Sequence, residues 1–252
     1  MPDIEIILAV VAAVATAAFV QGYAGFGFGI VSIALLALLP RGMAGMAVVV
    51  TLCATAVVLL LLRLSHAEKG VRWRRVGQLV VGSVAGMPLG YWFIHTFGDR
   101  AVFRVALGVA LIAFAVNGLF GRQARRKLAG WVGVAAGVCS GFLSGAFVSG
   151  GPPVILYLYS LADDPRDMKA TIQAVFVANL VYRHTAIAVA GDYVPSVLAL
   201  AGFAVPAGVI ALYVGHRLCR YGSVALFRRI VFGLIGAFGM VLIVRAAGAW
   251  GG

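Results

Sequence analysis

Long apolar stretches separated by short charged segments dominate the pattern of this chain. Six stretches are long enough to cross a bilayer once as a helix. They cover 43–62, 76–97, 101–120, 168–190, 194–216 and 223–247. Two further runs, 6–40 and 128–162, each hold 35 uncharged residues. A straight helix of that length would measure about 52 Å against a hydrocarbon core of about 30 Å, so each of these two runs must break.

Both long runs contain a segment that interrupts a helix. The first reads Gln21-Gly-Tyr-Ala-Gly-Phe-Gly-Phe-Gly29, and the second reads Ser144-Gly-Ala-Phe-Val-Ser-Gly-Gly-Pro-Pro153. Glycine relaxes the backbone, whereas proline has no N–H to donate and disfavours the α conformation in the residue before it. We therefore expect two helical pieces in each run, with the second pieces beginning just after Gly29 and at Gly151.

The two halves of the chain resemble each other at a shift of about 124 residues. A shift of 123 superposes Gly22 on Gly145 and brings both interrupted segments into the same register. We interpret this as an internal repeat, with an N-terminal repeat over 1–125 and a C-terminal repeat over 126–252. The predicted fold is an all-α polytopic membrane protein in which each repeat has one broken segment and three spans.

The basic residues indicate how the repeats are oriented. If each broken segment crossed the membrane once, ten Lys and Arg would lie on the side of the N-terminus and nine on the other. If each segment returns as a hairpin, one side holds fifteen and the other four. The positive-inside rule favours the hairpin, which makes the repeats inverted and places both termini outside. A shallow re-entrant hairpin and two short crossing helices both agree with this count.

Composition supports the membrane assignment and excludes several function classes. Hydrophobic residues make up 63% of the chain and charged residues 11%, and the mean hydropathy is +1.05. The net charge of +12 lies mostly in short gaps between apolar runs, a pattern typical of topology signals rather than of nucleic-acid binding. The three cysteines form no CxxC motif, so neither a metal site nor a disulfide framework is predicted.

The acidic residues narrow the chemistry further. All eight lie at span ends or in loops, which leaves no carboxylate in mid-membrane for a cation pathway or a proton relay. The sequence also lacks a Ser/His/Asp cluster of the kind that an intramembrane hydrolase uses. We therefore predict no enzymatic activity and no cofactor.

Inverted repeats with broken helices are typical of secondary transporters, whose substrate lies near the midplane where the interruptions meet. A helix that begins in mid-membrane presents free N–H groups and the positive end of its dipole, which favours an anion. The few polar groups inside the predicted spans are the natural further ligands. The predicted substrate-binding residues are Gln21, Gly22, Gly25, Gly27, Gly29, Ser144, Ser149, Gly150, Gly151, Pro152, Asn179, Arg183 and His184.

Each of these features also has a purely structural interpretation. Glycines allow close packing of membrane helices, and serines often bond to their own backbone. Arg183 could extend along its helix to the membrane surface.

The segments Gly22-Tyr-Ala-Gly-Phe-Gly-Phe-Gly29 and Gly141-Phe-Leu-Ser-Gly-Ala-Phe-Val-Ser-Gly-Gly-Pro-Pro153 resemble the TauE/SafE family of membrane proteins. The resemblance covers nearly the whole chain. It implies a bacterial inner-membrane permease that exports sulfite or a small organosulfonate such as sulfoacetate. Relatives commonly have a proline soon after the first glycines, where this chain has Ile30-Val-Ser-Ile33.

The sequence therefore predicts an exporter of a small sulfur-containing anion, with a midplane site between the two repeats. Its partners are that anion and the lipid bilayer, with both termini in the periplasm, and an inside-negative potential assists anion exit. A small-anion channel and a non-transporting membrane subunit or scaffold are the alternatives. The exact substrate, the coupling ion and the formation of a homo-oligomer stay open.

Overall fold

The computed structural model describes residues 4–24, 27–39, 42–64, 70–120, 129–161, 165–219 and 224–248. These residues form ten α-helices, and no strand occurs among them. The helices are α1 (Ile4–Ala24), α2 (Phe28–Leu36), α3 (Met43–Leu64), α4 (Trp73–Phe97), α5 (Ala101–Phe120), α6 (Gly130–Phe147), α7 (Gly151–Tyr159), α8 (Pro165–Ala190), α9 (Pro195–Leu218) and α10 (Val224–Gly248). Six helices in the described part are long and apolar enough to cross a membrane, so the prediction of an all-α polytopic membrane protein is confirmed.

Six of the ten helices correspond to the predicted single spans, and their ends differ from the predicted ends by at most three residues. These helices are α3, α4, α5, α8, α9 and α10. The agreement has a simple cause, because charged residues stop each apolar run close to the point where the helix ends. The division into two inverted repeats remains a prediction.

Each broken run forms one long helix followed by one short helix. The first pieces, α1 and α6, have 21 and 18 residues, whereas α2 and α7 have nine each. A nine-residue helix is about 14 Å long, less than half of a hydrocarbon core of about 30 Å. The arrangement therefore differs from two short crossing helices, since one piece has membrane length and the other does not.

The helices group into two units, which we describe separately. Unit 1 comprises Met1–Val57, Ile94–Gly121 and Tyr193–Gly252, and unit 2 comprises Val58–Phe93 and Arg122–Asp192. Each unit therefore combines segments from both halves of the chain. The first broken run packs with α9, which follows it by about 170 residues, and the second packs with α4, which precedes it.

In unit 1, α1 and α9 run parallel in close contact. Gly208 lies against Val14, and Gly215, farther along α9, lies against Tyr23. A Cβ atom at Gly22 would come within 2.9 Å of the backbone nitrogen of His216, so only glycine permits this approach. The two helices thus begin at the same end of the unit.

The same end of unit 1 gathers further helix starts. Gly45, near the start of α3, lies against Val197, near the start of α9. The Met43 N–H donates to Oδ1 of Asp99 at 3.1 Å, so the carboxylate caps α3. Because α1 and α3 start at one end, the first broken run leaves this end and returns to it. That path is the predicted hairpin.

Unit 2 contains a second glycine seam, between α4 and α6. Its members repeat every four residues on each helix: Gly82, Gly86 and Gly90 on α4, and Gly137, Gly141 and Gly145 on α6. A Cβ atom at any of these positions would clash with the backbone of the facing helix. Close approach of two helices through small residues is the main packing mode inside membranes.

Helices α4, α6 and α8 of unit 2 run parallel, and α7 runs back between their two ends. At the starting end, Arg72 forms a 2.9 Å ion pair with Asp167; at the other end, the Tyr91 hydroxyl bonds to Asp192. Tyr157, near the end of α7, returns to the starting end, where Nη1 of Arg75 donates to its hydroxyl oxygen at 2.9 Å. The second broken run is therefore also a hairpin.

Candidate functional site

The break between α6 and α7 brings the chain back to the middle of α6. Val148 ends α6 in the left-handed conformation, with φ of 52°, and its N–H donates to the Ser144 carbonyl at 3.1 Å. The Ser140 hydroxyl then donates to the Gly150 carbonyl at 2.6 Å. Ser140 is ten residues past the start of α6, or about 15 Å along its axis. Helix α7 therefore begins beside the middle of α6, about 15 Å along the axis from the start of that helix.

Backbone donors at the start of α7 are fewer than the sequence prediction assumed. Pro152 and Pro153 occupy its first turn and have no N–H. The N–H groups of Gly150 and Gly151 have no hydrogen-bond partner within the described part of the chain. This end therefore offers a ligand two adjacent glycine N–H groups instead of a full helical turn of donors.

Three polar side chains at this break also lack partners. In the residues that the structure describes, the hydroxyls of Ser144 and Ser149 and the amide of Asn179 make no hydrogen bond. Asn179 is 6% exposed and Ser144 is 8% exposed. Buried amides and hydroxyls without partners are costly, so such a group usually has a water or a ligand as its partner.

Helix α8 carries Asn179 to the level of the break. Its buried residues repeat every fourth position, forming a stripe of Thr171, Val175, Asn179, Arg183 and Ile187. One turn before Asn179, Phe176 lies against Gly151 at the start of α7. One turn after it, Arg183 bonds to the end of α6. Asn179 thus lies between the two contacts that flank the break.

Arg183 closes the C-terminal end of α6. Its Nη1 donates to the carbonyl oxygens of Ser144 and Gly145, the latter at 2.9 Å. The guanidinium also lies over the ring of Tyr91, 6.0 Å from the centroid. Both carbonyls are among the last four of α6, at the negative end of its dipole, and the Ser144 carbonyl also accepts the Val148 N–H. Arg183 is 1% exposed and does not reach the surface, whereas its neighbour His184 is half-buried.

The first break lies between α1 and α2, and a side chain of α1 caps the start of α2. The carbonyl Oε1 of Gln21 accepts the Phe28 N–H at 3.0 Å. Gly27 precedes α2 with φ of +103°, which strongly favours glycine. Helix α2 consequently begins at Phe28 rather than just after Gly29, which is half-buried in its first turn. Gly25 lies outside the described residues.

Some of the predicted site glycines contact protein closely. Gly22 packs against α9, and a Cβ at Gly150 would lie 2.8 Å from both the carbonyl oxygen and the hydroxyl of Ser140. Gly27 has more space, because its nearest neighbour would be a Val20 methyl at 3.8 Å. Sequence reasoning missed Tyr91 and Phe176, which contact the arginine and the start of α7. It also missed the α4 seam, although the four-residue spacing of its glycines was visible.

Similarity to known proteins indicates the family of this chain. The family model described as sulfite exporter TauE/SafE matches residues 9–242. The chain belongs to the TauE/SafE sulfite exporter family. The match confirms the resemblance seen in the interrupted segments, and with six membrane-length helices it identifies a multi-pass membrane protein of a transporter family.

Two curated members or relatives of this family match over much of their length. The "Probable sulfite/organosulfonate exporter TauE" of Cupriavidus necator is 27% identical over 240 residues, which cover 92% of this chain and 91% of that protein. The "Probable inner membrane transporter protein TsaS" of Comamonas testosteroni is 27% identical over 185 residues, covering 68% of this chain and 72% of the relative. No solved structure matches the chain significantly.

Proposed function

We propose that this protein exports sulfite or a small organosulfonate across a bacterial inner membrane, through a site at the α6–α7 break near the midplane. The observation that supports the site most directly is a set of polar donors at the α6–α7 break, of which Ser144 and Asn179 are buried and Ser149, Gly150 and Gly151 are half-buried. Two glycine N–H groups, two serine hydroxyls and the Asn179 amide are held there without hydrogen-bond partners in the described part of the chain. Oxygen atoms of an anion satisfy donors of this kind.

Electrostatics at this break also favour an anion. Arg183 brings a full positive charge within hydrogen-bonding distance of the Ser144 backbone. Among the described residues of unit 2, the carboxylates are those of Asp167 and Asp192, which lie at the two ends of α8. A buried cation with carboxylates only at the helix ends gives the middle of the unit a positive potential.

The direction of transport follows from the field and the topology. We propose that the starts of α4, α6 and α8 face the cytoplasm and that both termini lie in the periplasm. Support comes from the fifteen-to-four charge distribution and from the shared end of Arg72 and Asp167. The membrane potential then assists exit of each anionic charge by about 2.3 kcal/mol per 100 mV.

Flux measurements in liposomes test this function. Purified protein should move labelled sulfite or 2-hydroxyethanesulfonate down a gradient, with saturation and with competition by the unlabelled anion. Sulfate and chloride serve as comparison anions. A saturable sulfonate flux supports the proposal. Unsaturable currents of chloride would instead indicate a channel, and the absence of any anion flux from correctly folded protein would reject transport.

A further inference from the structure

We infer that the α6–α7 break selects a singly charged oxyanion over a doubly charged one. This inference rests on the proposed function, because it concerns the charge of the anion that the same site accepts. It goes further by separating two groups of compounds that both count as sulfonates. The first group carries one negative charge on the sulfonate, and the second carries an additional carboxylate.

The first step is the neutrality of the donors. The N–H groups of Gly150 and Gly151, the hydroxyls of Ser144 and Ser149 and the Asn179 amide carry no net charge. Neutral donors replace part of the hydration shell of an oxyanion, but they do not supply a compensating charge. The charge balance of the site must therefore come from ionised side chains.

The second step is the upper limit on positive charge. Among the side chains that the structure describes, Arg183 is the one Arg or Lys that contacts this break. The other cations of unit 2 whose side chains the structure describes are Arg63, at the end of α3, and Arg72, Arg74 and Arg75, at the start of α4. Arg75 is held there by the Tyr157 hydroxyl, at the far end of α7 from the break. Within the described part of unit 2, Arg183 is therefore the one Arg or Lys charge that lies at the break.

The third step concerns how much of that charge a ligand experiences. Arg183 donates to two carbonyl oxygens at the C-terminal end of α6, where the helix dipole carries a partial negative charge of about one half. The arginine and the helix end partly cancel each other. The net field at the break is thus weaker than that of an isolated guanidinium.

The fourth step compares one ligand charge with two. Removing a charged group from water costs several kcal/mol, and a nearby opposite charge is needed to offset that cost. A carboxylate added to the ligand brings a second such cost and repels the sulfonate, while Arg183 can compensate one charge. Phe176, which lies against Gly151, offers an apolar surface instead of a partner for a second anionic group. Binding of a dianion at this break is therefore disfavoured.

A pair of matched ligands tests the inference. The probes are 2-hydroxyethanesulfonate and sulfoacetate, which are both two-carbon sulfonates and differ by one charge. Binding to the full-length protein in detergent is measured by titration calorimetry at neutral pH, followed by flux in liposomes. We expect the singly charged compound to bind at least about tenfold more tightly. Equal affinity, or tighter binding of sulfoacetate, would overturn the inference.

A charge-altering variant provides a second, independent arm. Ser149→Lys adds a cation at a half-buried position of the break, and Ser160→Lys adds the same charge beyond the end of α7. We expect Ser149→Lys to shift the affinity ratio towards sulfoacetate and Ser160→Lys to leave it unchanged. An identical shift in both variants would show that the charge acts from a distance and would contradict a site at the break.

The outcomes separate this inference from the proposed function. Transport of both sulfonates with equal affinity leaves the exporter intact and rejects the charge selection. Failure of folded protein to bind or move either compound rejects the exporter and the charge selection together. Preference for the monoanion, reversed only by the cation at position 149, supports both.

Discussion

Arg183 of α8 donates through Nη1 to the carbonyl oxygen of Gly145, 2.9 Å away, and so ties α8 to the end of α6. The same nitrogen bonds to the Ser144 carbonyl. A buried cation placed on the negative end of a helix dipole is favourable, and the bond to Gly145 satisfies a carbonyl that accepts no backbone N–H among the described residues. The arginine thereby fixes the position of the backbone from which the break begins.

Substitution of Arg183 should destabilise the α6–α7 break without preventing membrane insertion of the chain. Arg183→Lys retains the charge but loses the planar fork of donors, and Arg183→Gln loses the charge as well. We expect a loss of about 1–3 kcal/mol in Arg183→Gln, because the buried Gly145 carbonyl loses its partner, and a smaller loss in Arg183→Lys. Thermal unfolding in detergent measures the stability, and sulfonate titration measures the accompanying loss of affinity.

Tyr91→Phe is the matched control for this arginine. It preserves the ring beneath the guanidinium and removes only the hydroxyl that bonds to Asp192. We expect near-parental affinity, with some loss of stability because the hydrogen bond to the Asp192 carboxylate is lost. If Arg183→Gln behaves like the parent in both measurements, the arginine neither supports the break nor contributes to the site.

The glycine seam between α4 and α6 predicts a sharp contrast between two alanine substitutions. A Cβ at Gly145 would lie 2.7 Å from the Tyr91 backbone nitrogen, whereas a Cβ at Gly202 on α9 would meet nothing within 4 Å. We expect Gly145→Ala to lose about 1–3 kcal/mol through overpacking. Gly202→Ala should be neutral or slightly stabilising, since it removes a flexible residue from a helix. Similar unfolding midpoints for the two variants would refute the close packing.

Val148 predicts a gain in stability on substitution by glycine. A β-branched residue is strained in the left-handed conformation, at about 1–2 kcal/mol, and Val148 has φ of 52°. Val148→Gly should raise the unfolding midpoint, whereas Val148→Ala, which retains a Cβ, should not. A lower midpoint for the glycine variant would mean that contacts of the valine side chain outweigh the strain.

The cap on α2 gives a prediction for the first break. Gln21→Leu removes the oxygen that accepts the Phe28 N–H, and Gln21→Asn preserves an uncharged amide oxygen on a side chain shorter by one methylene. We expect Gln21→Leu to lose about 1 kcal/mol of stability, typical of a lost helix cap, and Gln21→Asn to lose less. Thermal unfolding distinguishes them, and equal losses in the two variants would show that the acceptor is not what matters.

The spans followed from the sequence because charge and hydropathy change abruptly at their ends. The span 101–120 shows this change, because Arg100 precedes the helix and the apolar run continues to Phe120. The breaks were also visible, since Gly150 to Pro153 cannot continue a helix. What the sequence could not show is which helices from distant parts of the chain meet, because such contacts depend on packing in three dimensions. The contact of α9 with Gly22 is one example.

The site illustrates the same limit at the level of single groups. The sequence indicated Gln21, Asn179 and Arg183 because polar residues are rare in spans, but rarity does not reveal a partner. In the structure, Gln21 caps α2 by accepting the Phe28 N–H, and Arg183 donates to the Gly145 carbonyl at the C-terminal end of α6. Asn179 has no hydrogen-bond partner within the described residues, which is a property of the fold and not of the local sequence.

Sulfonate flux through a variant at Asn179 tests the account most directly. Asn179→Ala removes the buried amide at the break, and Thr185→Val removes a hydroxyl from the exposed face of the same helix, where it bonds only to the Val181 carbonyl. We expect flux of labelled 2-hydroxyethanesulfonate in liposomes to fall at least about tenfold in Asn179→Ala, as the loss of one to two ligand hydrogen bonds implies. Thr185→Val should transport like the parent. Parental flux in a folded Asn179→Ala protein would contradict the placement of the site at this break.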